Sequence, residues 1–444
     1  MVALMLSAVA SAFCGAYVGP VGSTLENGAS RIVVARQDGR VTLTMANDVS
    51  ADVSDFAMVV PVPEILGPAD VRLVDRDWID QLDSYTAPRL VSYTCDQLGG
   101  WDSGYYGHTY GSRGCPLGCS GGEVALTKAT ADSAVASPYG GTESALDSVK
   151  IEAEFAIGAY EVVVLSAEES GDLLSWLQLE GYAVPDGGEA VLQEYIDAGL
   201  YFFAVRVSLD ELPDGAFLEP IQFGYPQGAS DAWTLPTRLG ALNSSGRQEV
   251  LLFTLTSPDA GRTRPQNAGP VDLEDDCMPP GDDVDAFFED HLDTSFGGVS
   301  PGYTLEYSWP GWEKCDPCSP GFEEVDPQML EALGYVAASS EDFGYQGYEV
   351  YLTRLRLRYD AATAQDLIFE PTRDGSQNEQ IRFIQYEEYL ESEFPICGQG
   401  MAENPGTCDD ELARRVSKVT PRRSLGMGFW GLLLAGGLLL RRRL

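Results

Sequence analysis

Positive charge is scarce in this chain. Its 444 residues include 28 Lys and Arg against 68 Asp and Glu, a formal charge of −40, and only Lys128, Lys150, Lys314 and Lys418 are lysines. A surface of that sign repels phosphate backbones, so nucleic acid is excluded as a partner. Histidine is scarcer still, with His108 and His291 the whole supply. Multi-histidine metal centres are therefore excluded, and a Ser–His–Asp scheme would have to use one of those two rings. The sequence carries no internal repeat of roughly 20–50 residues. It also has no Gly-rich phosphate loop behind a strand, which argues against a doubly wound nucleotide fold. Core-forming residues are not lacking. Hydrophobic residues make up 44% of the chain, including 21 Tyr and 17 Phe, so global disorder is excluded.

The two ends set the expected address. Residues 1–12, MVALMLSAVASA, form a short apolar run closing on small residues, which reads as a signal peptide cleaved between Ala12 and Phe13. At the other end, Ser424–Leu440 runs for 17 residues without a charge, between Arg422-Arg423 and Arg441-Arg442-Arg443. About 17 residues is the lower limit for crossing the hydrocarbon core. The segment 421–444 is thus expected to anchor the protein in the membrane through one transmembrane helix, with the Arg cluster cytoplasmic. Its layout of spacer, apolar helix and Arg stop resembles the C-terminal sorting tails of bacterial surface proteins. It lacks the Cys or Gly-Gly pair that those tails place before the helix. Without its two ends the body, 13–420, carries 23 basic and 68 acidic residues, or −45.

Within the body, hydrophobic periodicity predicts an α+β fold of mostly antiparallel sheets with a few packed helices. Arg31–Met45 reads as a hairpin turning at Asp38-Gly39, and Phe56–Pro63 as a strand. Val71–Leu82 has helical spacing. Phe155–Leu165 reads as one strand with Tyr160, Val162 and Val164 on a shared face. Helices are predicted over 170–179 and 189–198, and strands over 201–207, 249–255 and 350–359. This organises the body as an N-terminal α+β region (13–257), an acidic linker (258–300) and a C-terminal β-rich region (301–420). A Cys-, Gly- and Tyr-rich insertion at 95–145 interrupts the first region.

Several segments together resemble one bacterial family, the secreted proteins grouped as domain of unknown function 2330. They are AFCGAYV (12–18), DFAMVVPVP (55–63), APRLVSY (87–93), IGAYEVVVLSA (157–167), LPTRLGALNSSGRQEVLLFTL (235–255), KCDPC (314–318) and LTRLRLRYD (352–360). The resemblance implies an exported, envelope-associated protein and supplies no catalytic residue.

Nine cysteines, in an exported chain, read first as disulfides with at least one thiol left over. Close spacing makes Cys115–Cys119, Cys315–Cys318 and Cys397–Cys408 the candidate pairs. Cys315-Asp-Pro-Cys318 is also the spacing of a redox pair or of half a metal site, although the surrounding Trp and Pro residues favour a structural loop. The acidic tract from Asp272 to Asp293 has the oxygen density to hold calcium, but without EF-hand spacing a solvated loop is favoured. Trp101, Tyr105, Tyr106, His108 and Tyr110 form an aromatic loop suited to stacking on a glycan, on a partner protein or on itself. Arg354, Arg356 and Arg358 alternate along one strand and so share a face. Three guanidinium groups in a row need carboxylates or an external anion, and in so acidic a body neighbouring Asp and Glu are favoured.

The resulting expectation is an exported, envelope-anchored protein at the outer envelope or cell surface, a binding or structural protein rather than an enzyme. Its partners would be an envelope or extracellular protein, or a glycan. The alternatives are an exported thiol–disulfide oxidoreductase using Cys315 and Cys318, and a calcium-assisted hydrolase built on acidic residues.

Overall fold

The computed structural model describes residues 15–20, 25–51, 55–91, 148–208, 218–227, 232–243, 246–273, 276–278, 282–313, 324–342, 345–373 and 378–385. Both ends, with the 1–12 and 424–440 segments, and the 95–145 insertion up to residue 147 lie outside them. Among the described residues no helix is long and apolar enough to cross a membrane.

β1 (Ala16–Val18) is followed by the long hairpin β2 (Leu25–Gln37) and β3 (Arg40–Ala51). It reverses at Asp38 and Gly39, with φ of 52° and 72°, as the Asp-Gly signal requires. Next come β4 (Asp55–Val62) and β5 (Val71–Leu73). The helical spacing across 71–82 resolves into that short strand and then α1 (Arg76–Thr86). Asp75 sets the boundary, because its carboxylate accepts from the Asp77 amide at 3.0 Å and caps the first turn. β6 (Arg89–Val91) follows.

The single strand expected over 155–165 is two, β7 (Val149–Ile157) and β8 (Tyr160–Ala167). The chain turns at Gly158, whose φ of 57° suits a residue without Cβ. Tyr160, Val162 and Val164 do share one buried face. α2 (Ser170–Leu179), α3 (Gly188–Asp197) and β9 (Tyr201–Ser208) lie where the periodicity places them. β10 (Ile221–Pro226), β11 (Trp233–Leu235), α4 (Thr237–Ala241) and β12 (Arg247–Thr256) come next.

The acidic stretch 258–300 is not all loop. It holds β13 (Thr263–Pro265), β14 (Gly269–Pro270), β15 (Asp276–Met278) and α5 (Val284–Phe296). Asp283 starts α5 by accepting from the amides of Asp285 and Ala286, so acidic density there is helix-capping as well as solvation. The remaining elements are β16 (Gly302–Pro310), α6 (Pro327–Ala332), β17 (Ser339–Asp342), β18 (Tyr345–Tyr348), β19 (Tyr351–Asp360), β20 (Leu367–Pro371), β21 (Glu379–Gln380) and β22 (Arg382–Gln385).

The chain folds into two compact units. In the smaller, β15 pairs parallel with β22, and the rings of Phe287 and Phe288 meet Phe383 edge-on. The larger unit is a four-layer αββα sandwich. A five-stranded antiparallel sheet, in the order β1-β4-β9-β8-β7, faces a nine-stranded sheet in the order β14-β16-β19-β12-β2-β3-β10-β5, with β21 on β16. Strands from both sides of the acidic stretch share that larger sheet.

The inner core lies between the sheets, with Phe56, Val162, Phe203 and Val205 from the smaller and Ile32, Leu43, Leu252 and Leu355 from the larger. On the outer side of the smaller sheet, Val163, Leu165 and Phe202 pack against Leu173 of α2 and Leu192 of α3. On the outer side of the larger, Val33, Phe253 and Leu352 pack against Ile79 and Leu82 of α1 and Leu330 of α6. Where both faces are covered, as along Val162–Leu165 of β8, the strand reads as a continuous apolar run.

Gly334, just past the end of α6, has φ of 92°, and a Cβ there would lie 2.6 Å from Thr42 Cγ2. Gly334→Ala is expected to cost about 1–3 kcal/mol from backbone strain and overlap together. Urea unfolding of the variant should move to a lower midpoint with an unchanged slope.

Candidate functional site

Arg354, Arg356 and Arg358 stand on the outer face of β19, beneath α1 and α5, and they do not face solvent. Their exposures are 3%, 8% and 2%, and that of Glu306, between two of them, is 0%. Arg354 Nε donates to Glu306 Oε2 at 2.6 Å, and Arg356 Nε donates to Glu306 Oε1. Arg356 Nη1 reaches Glu249 on β12, as does Arg358 Nε at 2.6 Å. The row continues at both ends. Arg354 Nη1 donates to Asp83 of α1 at 2.5 Å, and Asp83 also faces Arg31, which pairs with Asp80. Arg358 Nη1 donates to Asp293 of α5 at 2.8 Å, and Asp293 also takes Arg247 at 2.7 Å. Five arginines alternate with five carboxylates, so the ladder is neutral.

Aromatic faces complete the burial, Phe253 under Arg354 at 5.4 Å and Phe296 under Arg358 at 5.3 Å. Burial by itself would push the Glu306 carboxyl up. The fields of Arg356 and Arg354 and their hydrogen bonds outweigh it and hold the group below the ordinary carboxylate range. Burial likewise works to lower Arg356, and Glu306 with Glu249 raises it instead.

Glu306 reaches this position through a β-bulge. The pairing of β16 with β19 slips between Leu305 and Tyr307, so Leu305 lies opposite Leu355 and Tyr307 opposite Arg354. Tyr303 and Leu305 accordingly pack into the inner core, while Tyr307 and Trp309 pack on the outer face. The bulge lets the adjacent Glu306 and Tyr307 both serve the outer side. In sequence the four aromatic and aliphatic residues alternate without a break, so nothing local signals the switch.

The other expected site residues fall mostly outside the described residues. Cys115, Cys119, Cys315, Cys318, Cys397 and Cys408 lie there, as do Trp101, His108 and the rest of the aromatic loop. His291 is half-buried on α5. Among the described residues there is no group of three or more His, Cys, Asp or Glu placed to hold a metal ion.

A groove of about 440 Å³ opens elsewhere, at one end of the larger sheet. Its origin is topological. β2 and β12 run parallel as neighbours, so both end at the same edge. Beyond that edge β2 turns into β3 through Asp38-Gly39, and β12 leaves through the turn 257–261. The two paths part, as adjacent parallel strands allow, and leave a crevice at their carboxyl ends. Arg36 forms part of its lining, and Tyr335, Val336 and Glu349 line another side.

The walls are pinned. The Gln37 side chain donates to the Val336 carbonyl at 2.7 Å and accepts from the Val336 amide at 2.9 Å, imitating a strand pair. Tyr335 donates its hydroxyl to the Glu349 carbonyl at 2.9 Å, and the Arg373 amide donates to the Ala260 carbonyl at 3.3 Å. Burial, with Asp38 and Glu349 nearby, pushes the Tyr335 hydroxyl up to about 12, so it stays a neutral donor. No residue of this groove apart from the Asp38-Gly39 turn is signalled by a local sequence pattern.

The fold and its internal charge ladder define a two-sheet α+β protein with helices outside both sheets. The chain belongs to the bacterial family described as "Uncharacterized protein conserved in bacteria (DUF2330)", whose model matches residues 8–370. No curated protein matches it, and neither does any solved structure.

Glu306→Gln leaves two buried guanidinium groups short of a counter-charge, and a loss of about 3–5 kcal/mol is expected. Replacing Glu306 and Arg356 together by Leu should recover much of that loss, because Arg354 keeps Asp83 and Arg358 keeps Glu249. The Glu306 contribution is present above the unfolded carboxyl value near 4.5 and is lost as pH falls through its lower folded value. The gap in thermal midpoint between wild type and E306Q should therefore be widest near neutrality and begin to narrow as pH falls below the unfolded value of 4.5.

Proposed function

We infer that this is an exported protein anchored in the cell envelope by its C-terminal segment, and that it acts by binding rather than by catalysis. The observation that carries the binding part is the groove at the carboxyl ends of β2 and β12. Its polar groups of both signs stand on strand ends and turns held by backbone hydrogen bonds, so a ligand would meet them already in place. The ladder supports the same reading from the other side. It withdraws Arg354, Arg356 and Arg358 from the surface and ties the outer face of the larger sheet together by ion pairs. The address rests on the apolar run at 1–12 and on the Arg-bracketed run at 424–440. Anchoring at the outer envelope or cell surface brings such a groove to small molecules, glycans or proteins of the envelope.

The intact mass of the protein purified from its native envelope, with and without thiol alkylation, tests this. A chain that begins at Phe13, retains or has exchanged the 424–440 segment, and has Cys315 and Cys318 protected from alkylation is expected. A chain retaining residues 1–12 and recovered from the cytoplasm would overturn the export reading. Ready alkylation of Cys315 and Cys318 would favour the thiol–disulfide alternative over the binding one.

A further inference from the structure

The groove's lining points to the kind of ligand it takes. Its lining is mixed, slightly more polar than apolar, unlike the mostly apolar lining of most small-molecule pockets. Its volume of about 440 Å³ is the room of some fifteen waters, enough for a small polar molecule and too little for a folded partner. Both signs of charge are present. Arg36 and Arg373 supply the positive groups, and Asp38, Asp259 and Glu349 the negative ones.

That mixture stands out against the body. On a surface of −45 a simple cation is attracted almost everywhere, so a cation alone needs no built groove. A simple anion is opposed by the field of the whole body. Arg36 and Arg373 give local attraction only within about 8–10 Å at physiological salt. A molecule with separated positive and negative ends suffers neither difficulty, because its net charge is zero and each end meets its opposite.

Backbone hydrogen bonds join the segments that carry two of these charges. The Arg373 amide donates to the Ala260 carbonyl, and the Ala260 amide donates to Ser257 at 3.0 Å, closing the turn that carries Asp259. Arg373 also has φ of 52°, as does Asp38, and both line the groove. For Asp38 that conformation belongs to its hairpin turn. For an arginine it is a strained conformation. Hydrogen bonds from the Thr372 and Arg373 amides to Arg262 and Ala260 keep it in place.

We propose that the groove at the carboxyl ends of β2 and β12 binds a small zwitterion of the amino-acid or short-peptide class. Its carboxylate lies toward Arg373 and Arg36, and its ammonium toward Asp259 and Asp38. This rests on the binding reading above and specifies its ligand.

Titration calorimetry on the full chain tests it with three probes: glycylglycine, its N-acetylated form and its C-amidated form. Glycylglycine should bind, and each singly charged form should bind at least about tenfold more weakly. In Arg373→Gln the preference for glycylglycine over the amide should shrink, Arg36 remaining, while the preference over the acetyl form is kept. In Asp259→Asn the opposite pattern is expected. Both residues are exposed, and unchanged thermal midpoints would show that folding is not the cause. Equal binding of all three probes, no binding of glycylglycine up to about 10 mM (a dissociation constant too weak for a built site), or preferences unmoved by either variant would each overturn the proposal. Those results would leave the export and anchoring reading standing, since the intact mass decides it separately.

Discussion

Glu306 has no access to water, so it must be answered by cations from within the fold, and much of the larger sheet is arranged around that requirement. The ladder built on it draws its members from β2, α1, β12, α5, β16 and β19. Segments more than 200 residues apart thereby become mutually dependent, since Arg354 meets Asp83 at a separation of 271. Buried ion pairs add little net stability over well-packed hydrocarbon, because desolvation offsets most of the attraction. What they impose is intolerance of error. A slip of β16 by one residue would strand Glu306 against the inner core and leave Arg354 and Arg356 uncompensated. In this protein the ladder acts on register, and it holds α1 and the Asp293 end of α5 to the sheet.

The same arrangement explains where a ligand site can arise. The outer face of the larger sheet is occupied by the ladder and by α1 and α6, and the inner face by the core shared with the smaller sheet. Among the described residues both faces are filled by packed side chains. At the strand ends, the parallel neighbours β2 and β12 let two departing loops diverge from a common edge. A sandwich closed on four layers therefore has its groove at the rim. Local hydrogen bonds hold the groove's lining there, without the large conformational change a flexible surface loop would need.

Much of the architecture was legible along the chain. The Asp38-Gly39 turn, the apolar spacing of α2 and α3 and the shared face of Tyr160, Val162 and Val164 follow from short-range stereochemistry, and each lies where the periodicity indicates. The errors have equally specific causes. Gly158 breaks a run of strand-forming residues that looks continuous, because a glycine in a strand and a glycine in a turn are the same letter until φ is known. The helix α5 was hidden by its own acidic residues, whose density suggests a solvated loop even though Asp283 caps a helix and Phe287, Leu292 and Phe296 are buried along it.

By itself the sequence determined that Arg354, Arg356 and Arg358 share a face, that the body is strongly acidic, and that its two ends carry export-like and anchor-like runs. Tertiary structure alone decided which carboxylates answer those arginines, since Glu249, Glu306, Asp83 and Asp293 come from four different elements. It also decided that Tyr307 and Trp309 lie on the opposite face from Tyr303 and Leu305. The physical reason is the same in each case. Alternation along a strand tells which side chains point together. Only the neighbours brought in from distant parts of the chain determine what covers that face, and whether a single inserted residue reverses it.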